Sequence, residues 1–194
     1  FFIEVSARMG NENTVFTSTK LFNDARDGRL ESVRKGLKAA ADFDLNEQDK
    51  ETGQTALIAA STSNLHEIVK LLLKKKIDPD IQDKLGLTAL HAACFGGFIQ
   101  IVELLIKRKA NLNLQDQDGN TPLHCASISG HGDVVQMLLQ AEANPTVRNK
   151  YRLQAWQVAK DEHTRTCFGT QIDSGDEMNF RSSHFVETDV EEEY

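Results

Sequence analysis

The sequence is short of cysteine and of long hydrophobic runs, and both absences restrict the class of protein. It has three cysteines among 194 residues. This odd number, without paired spacing, argues against a disulfide framework and fits a reducing compartment. The longest apolar stretches fall far below the roughly 20 residues that a membrane-spanning helix needs. No basic segment followed by an apolar one opens the chain, so we expect no secretory signal and a cytoplasmic or nuclear location.

Positive charge is also scarce relative to negative charge. The formal net charge is −7, and residues 170–194 hold eight acidic residues against one arginine, so the remaining residues are balanced. Without an excess of lysine and arginine the body cannot neutralise phosphates, which argues against nucleic acid as a partner. Residues 164–194 are acidic with few apolar side chains, and this composition predicts a disordered C-terminal tail.

The sequence lacks the short motifs that are typical of common catalytic sites. The sequence contains no G-x-x-x-x-G-K-[ST], no G-x-G-x-x-G, no G-x-S-x-G and no H-E-x-x-H. These motifs bind phosphates or dinucleotides, present a serine nucleophile, or hold zinc. We therefore expect a protein that is not an enzyme and that uses neither a cofactor nor a metal.

What the sequence does contain is an internal repeat with a period of 33 residues. Glycine, threonine and leucine recur in the same register in three units, with Ile-Val or Val-Val pairs and Leu-Leu or Met-Leu pairs further along each unit. The recurring positions are Gly53, Gly86 and Gly119, Thr55, Thr88 and Thr121, and Leu57, Leu90 and Leu123. So many matching positions indicate a repeat architecture.

Each unit predicts a turn followed by two short helices. In the pattern G-x-T-[AP]-L-[HI], the glycine suits a turn with positive φ and the threonine suits a helix N-cap. Pro122 falls at the first helical position, where the missing N–H has no cost. A second helix carries the I-V-x-L-L pattern. Helices this short are marginal alone in water, so they must stack on neighbouring units as in a solenoid.

This unit resembles the ankyrin repeat, most clearly over residues 83–113 and 116–146 and more weakly over 49–80. The resemblance implies an all-α solenoid of stacked helix-turn-helix units with short β-hairpin fingers. The expected organisation is an irregular segment (1–18), a degenerate capping repeat without the threonine-led turn (19–48), three repeats (49–82, 83–115 and 116–148), a half-repeat cap (149–163) and the disordered tail (164–194).

The sequence departs from the family pattern at three places. Lys76, Lys109 and Glu142 stand where the second helix usually ends with a left-handed glycine, and each is expected to cost about 1 kcal/mol of stability. The turn before Gly53 has one extra residue, which predicts a reshaped finger. Ile58 replaces the usual histidine.

Two histidines and two cysteines lie in the repeated motif, which raises the alternative of a metal or reactive site. Stacked repeats would place His91 and Cys94 about 10 Å from His124 and Cys125, too far for one zinc ion. Buried cysteine behaves as a small apolar residue. The resemblance implies that His91 and His124, with the N-cap residues Thr88 and Thr121, lock each turn to the next repeat. We expect no catalytic pair.

The resemblance places the contact surface for a protein partner on the concave side, at the finger tips and the first helices. The candidate residues there are Leu85, Leu87, Phe95, Ile128, Asp118, Asn120 and Tyr151. An exposed apolar patch rimmed by polar groups is typical of an interaction site. The expected function is therefore non-catalytic protein binding by a monomer acting as an adaptor or scaffold. An alternative is a stoichiometric inhibitor of a kinase or a transcription factor.

A second alternative depends on the N-terminal residues. Met9 to Thr14 match M-G-x-x-x-[ST], the signal for N-myristoylation of Gly10 if Met9 is the true start. One acyl chain gives reversible membrane contact, so this alternative is a membrane-tethered scaffold. Without that acylation we expect no membrane partner.

Overall fold

The computed structural model describes residues 16–39 and 44–169, in which the chain forms helical pairs joined by tight turns. The helices within these residues are α1 (Ser18–Arg26), α2 (Leu30–Ala39), α3 (Ala56–Thr62), α4 (His66–Leu73), α5 (Ala89–Gly96), α6 (Ile99–Lys107), α7 (Pro122–Ser129), α8 (Gly132–Gln140) and α9 (Glu162–Thr166). None of them is long and apolar enough to cross a bilayer.

The helices form two stacked layers. The inner helices α1, α3, α5 and α7 contact one another in order, and the outer helices α2, α4, α6 and α8 form the second layer. The core runs continuously between the layers, with Leu90, Ile101 and Leu105 among its fully buried residues. Because each repeat buries its apolar faces only against its neighbours, the predicted solenoid is confirmed.

Threonine starts the inner helices. Thr55 and Thr88 have extended backbones, and their hydroxyls accept hydrogen bonds from the N–H groups of Ile58 and His91, three residues on. Thr17 caps α1 in the same way. Residues 19–48 were expected to lack the threonine-led turn, and the threonine that caps α1 lies just before that expected boundary at residue 19.

The turns between helices end in left-handed residues at only some of the expected places. Gly97 and Gly130 take positive φ after α5 and α7. At the ends of the outer helices, Lys109 (φ 58°) and Glu142 (φ 67°) are also left-handed. Lys76 is not among the positive-φ residues, so the expectation for this residue was wrong: the chain after α4 turns without a left-handed residue there.

We expect the replacement of Lys109 or Glu142 by glycine to stabilise the protein by about 0.5–1 kcal/mol each. A left-handed residue with a Cβ costs about 1–2 kcal/mol, partly offset by the greater freedom of glycine in the unfolded chain. Lys76→Gly is the matched control and should lower the stability of the protein, because there glycine only increases the conformational freedom of the unfolded chain. Urea denaturation measures all three. Equal effects of Lys76→Gly and Lys109→Gly would contradict the argument.

The fingers are turns and not β-hairpins in the strict sense. In the fingers at residues 83–87 and 116–120, one backbone hydrogen bond of 2.9 Å joins the two ends, from Asp83 N–H to Leu87 O and from Asp116 N–H to Asn120 O. Between described residues the only β-type pairing is an isolated antiparallel bridge of Arg148 with Gln154. The fingers are too short for a longer ladder, because the N-cap of the inner helix follows at once.

The finger at residues 49–54 has the altered shape that its extra residue predicts. There the N–H of Gly53 donates to the carbonyl of Asp49, four residues back, at 2.8 Å. In the next finger the N–H of Gly86 donates to Asp83, only three residues back, at 2.9 Å. The hydroxyl of Thr52, within the wider turn, donates to the carboxylate of Asp49.

The C-terminal cap extends further than the sequence predicts. Helix α9 packs on α8, and Phe168 is buried, so the order continues past the expected boundary at residue 163. The approach is possible because Gly132 has no side chain: a Cβ there would lie only 3.1 Å from the His163 ring and 3.2 Å from Cys167 Sγ. The remaining tail (170–194) and residues 1–15, with Gly10, lie outside the described residues.

Candidate partner-binding groove

A groove lies on the concave side of the solenoid, between the fingers and the inner helices α3, α5 and α7. Its volume is about 610 Å³. Its lining residues, called the groove from here on, are Gln54, Ile58, Thr62, Asp83, Leu87, His91, Ala92, Phe95, Gly96, Phe98, Asp116, Asp118, Asn120, Cys125 and Ile128. Apolar side chains from three successive repeats therefore face one space.

Most of the residues that the sequence suggested for partner binding line this groove. Leu87, Phe95 and Ile128 supply apolar surface, and Asp118 and Asn120 lie at its finger side. Phe95 is 62% exposed and Ile128 41% exposed. Both belong to inner helices whose packing is carried by other, buried residues, so the fold does not require their apolar character.

The structure does not bring Leu85 and Tyr151 into the groove. Both are strongly exposed, at 60% and 69%, but neither is a lining residue. Each lies in a finger, at residues 83–87 and 149–153. Leu85 and Leu87 are two residues apart, and only Leu87 faces the groove.

Asn120 has a structural contact in addition to its place in the groove. Its side-chain oxygen accepts a hydrogen bond of 3.0 Å from the amide of Asn149 in the next finger. Its backbone carbonyl accepts a hydrogen bond of 3.1 Å from Nε2 of His91. The polar groups of this residue therefore connect repeats, and its replacement would disturb the stack as well as the groove.

The sequence interpretation missed two aspartates that shape the groove. Asp83 Oδ1 accepts the N–H groups of Leu85 and Leu87, each at 2.9 Å. Asp116 Oδ1 accepts those of Asp118 and Asn120, each at 2.8 Å. Both aspartates are the first residue of a finger, and they are separated by one repeat period. This spacing is the feature of the sequence that could have identified them.

The two repeat histidines join consecutive turns. The backbone N–H of Thr88 donates to Nδ1 of His91 at 3.2 Å, and Nε2 of His91 lies 3.1 Å from the carbonyl of Asn120. His124 has the same contacts with Thr121 (3.3 Å) and with the carbonyl of Leu153 (3.0 Å). In both histidines Nδ1 accepts a hydrogen bond from a backbone N–H and Nε2 faces a carbonyl oxygen. Each ring is therefore neutral and carries its proton on Nε2.

The burial of these groups sets their protonation. Burial lowers the pKa of His91 and His124 below the ordinary 6.5, and the hydrogen bonds to the next finger oppose this effect only in part. Burial raises the pKa of the Cys125 thiol to about 12 and that of Cys94 well above its ordinary value. At neutral pH the four groups are therefore neutral imidazoles and thiols, and both ring nitrogens of each histidine are already occupied.

Ile58 interrupts the series of histidines. It is 2% exposed and its side chain lines the groove. At this position an apolar side chain therefore stands where the other two repeats have a histidine. Gln48 Nε2 donates to the carbonyls of Gly53 (2.6 Å) and Gln82 (2.8 Å). Gln82 and Gln115 make the equivalent contacts in the next two repeats, so this glutamine link is periodic and does not replace the histidine.

Stacked helical pairs in two layers define a repeat solenoid. A family model described as ankyrin repeats (3 copies) matches residues 21–116 and, in an overlapping match, residues 63–149. The chain belongs to the ankyrin-repeat family. Ankyrin repeats generally mediate protein–protein interactions, and their proteins are typically non-catalytic interaction modules. A search of curated proteins finds no match.

Proposed function

We propose that the protein is a non-catalytic adaptor or scaffold whose groove binds an apolar segment of a protein partner. The observation that carries this proposal is the exposure of Phe95 and Ile128 above a concave apolar surface. Large exposed apolar side chains at the centre of a concavity are typical of interaction sites, and aromatic side chains dominate their binding energy.

The separation of buried core residues from exposed apolar residues on α5 and α7 supports the proposal. On these helices Leu90, Ala93 and Leu123 are buried in the core. Phe95 and Ile128 contribute little to that core, so the folded state loses little free energy if they change. An apolar side chain that the fold does not need is best explained by a contact outside the chain.

The test is a double substitution, Phe95→Ala with Ile128→Ala, in a chain immobilised for affinity capture. We expect the proteins that the wild type retains to bind about 30-fold more weakly, equivalent to about 2 kcal/mol, because the apolar anchors are lost. Thermal unfolding should change little.

Ile99→Ala is the matched control. Ile99 is 42% exposed, as Ile128 is 41% exposed, but it is not a lining residue of the groove. Its replacement should leave capture unchanged. If the double variant captures the same proteins at wild-type strength, the groove is not the binding surface.

A further inference from the structure

The groove carries charge of one sign only. Asp83, Asp116 and Asp118 stand along its finger side, and no lysine or arginine is among the described residues that line it. The acidic character is local, because the chain outside residues 170–194 has as many basic as acidic residues. The groove therefore combines an apolar surface with an acidic edge.

Two of these carboxylates, those of Asp116 and Asp118, keep oxygens available for a ligand, whereas Asp83 is buried, at 8% exposed. The finger N–H groups occupy Oδ1 of Asp83 and of Asp116. Oδ2 of Asp83 accepts no hydrogen bond from the described residues, and Oδ2 of Asp116 has only a 3.5 Å contact with the amide of Asn120. Asp118 is exposed, and its carboxylate has neither a hydrogen bond nor an ion pair within the described chain.

Within the described part of the chain, no lysine or arginine forms an ion pair with these three aspartates. The ammonium group of Lys84, on the finger at residues 83–87, donates instead to the carbonyls of Lys50 and Glu51 at 2.6 and 2.8 Å. It is therefore engaged with the preceding finger. Carboxylates of one sign beside apolar walls produce a field that attracts a cationic segment and repels an acidic one.

The protein's own acidic end does not fit this groove. Residues 170–194 contain eight acidic residues and one basic residue, Arg181. Their charge has the same sign as the groove edge, so their approach is opposed. The occupant that the charges favour is a segment of another protein.

We infer that the segment bound in the groove is basic as well as apolar, with an apolar side chain against Phe95 and Ile128 and a lysine or arginine beside Asp116 and Asp118. This inference rests on the proposed function and adds the chemical class of the partner. Charge complementarity of this kind favours correct partners and speeds association.

The inference is tested with a phage library of random 16-residue peptides selected on the full chain. Peptides whose binding is lost on the Phe95→Ala/Ile128→Ala variant are groove ligands. We expect these ligands to combine aromatic or aliphatic residues with lysine or arginine. Synthetic copies should bind Asp118→Asn about three- to fivefold more weakly and Asp118→Lys at least tenfold more weakly.

Asp133→Asn is the matched control, because Asp133 is exposed in the same repeat and lies outside the groove. It removes the same charge and should change the affinity less than twofold. Groove ligands that are neutral or acidic, or that ignore Asp118→Lys, would overturn the inference and leave the proposed function standing. If no selected peptide depends on Phe95 and Ile128, the proposed function fails and the inference fails with it.

Discussion

Gly86→Ala should lower the free energy of unfolding by about 3–4 kcal/mol. Gly86 has φ +78°, and a Cβ on it would lie 2.9 Å from the backbone nitrogen of Gln117 and 3.0 Å from Asp116 Cα. These are backbone atoms of the next finger, so no side chain can rotate away. Three costs combine: about 1 kcal/mol for the left-handed backbone, about 1 kcal/mol for a weakened hydrogen bond, and further strain from overpacking.

The hydrogen bond at risk joins the fingers. The N–H of Gln117 donates to the carbonyl of Leu85 at 2.9 Å, one residue before Gly86. Gly119 is in the same situation, with a Cβ 2.8 Å from the backbone nitrogen of Lys150. We therefore expect Gly119→Ala to be similarly destabilising. Urea denaturation followed by far-UV circular dichroism measures both.

Gly169→Ala is the control for the backbone cost alone. Gly169 also has positive φ (+50°), but no atom of the described residues lies within 4 Å of a Cβ built on it. Its replacement should cost only about 1 kcal/mol. If Gly86→Ala costs no more than Gly169→Ala, the close approach of consecutive fingers does not limit the residue at this position.

His91→Ala should cost about 3 kcal/mol at pH 7.5. His91 is fully buried, and its removal leaves the N–H of Thr88 and the carbonyl of Asn120 without their ring partners. Each buried group left without a partner costs about 1–3 kcal/mol. His124→Ala should act in the same way on Thr121 and Leu153. His66→Ala is the control, since that side chain is 49% exposed, and should change stability by less than about 0.5 kcal/mol.

The same histidines should make stability fall in mild acid. Because burial lowers their pKa in the folded protein below 6.5, the unfolded chain binds more protons than the folded one just below that pH. The contribution of these two histidines to the free energy of unfolding therefore levels off above about pH 7.5. It should decrease below pH 6.5 by at most about 1.4 kcal/mol per pH unit for each histidine, until the folded state is protonated too.

Urea denaturation at pH 7.5, 6.5 and 5.5 measures this dependence. The wild type should lose stability across the interval, and the His91→Ala/His124→Ala variant should lose much less. A loss of the same size in both proteins would show that other groups are responsible. Lower stability of the variant at pH 7.5 is expected in either case, so the slope with pH is the decisive quantity.

Several local features could be predicted from the sequence because they depend on nearby residues. A threonine N-cap needs only the N–H groups of the following turn, and Thr55 and Thr88 occupy that role. A left-handed turn favours glycine where the backbone must reverse, as at Gly86. The extra residue before Gly53 predicted an altered finger for the same local reason.

Other features could not be predicted from the sequence, because residues that look equivalent in the pattern have different conformations or surroundings in the structure. Lys76 and Lys109 follow outer helices at corresponding places, yet only Lys109 has positive φ. Leu85 and Leu87 both looked exposed, but only Leu87 faces the groove. Residues 164–168 are largely polar, yet α9 packs on α8 and Phe168 is buried.

By itself the sequence determined the repeat and the stacked helical pairs, because the 33-residue period, the caps and the turns act within one unit or between adjacent units. Only the tertiary structure decided which side chains share a surface. Asp83, Asp116 and Phe95 come from two fingers and an inner helix, and their common groove depends on how the fingers stack. That stacking is set by contacts between residues about 30 positions apart, such as His91 with Asn120. The family resemblance implied this histidine contact, but not which side chains the stacking brings to one surface.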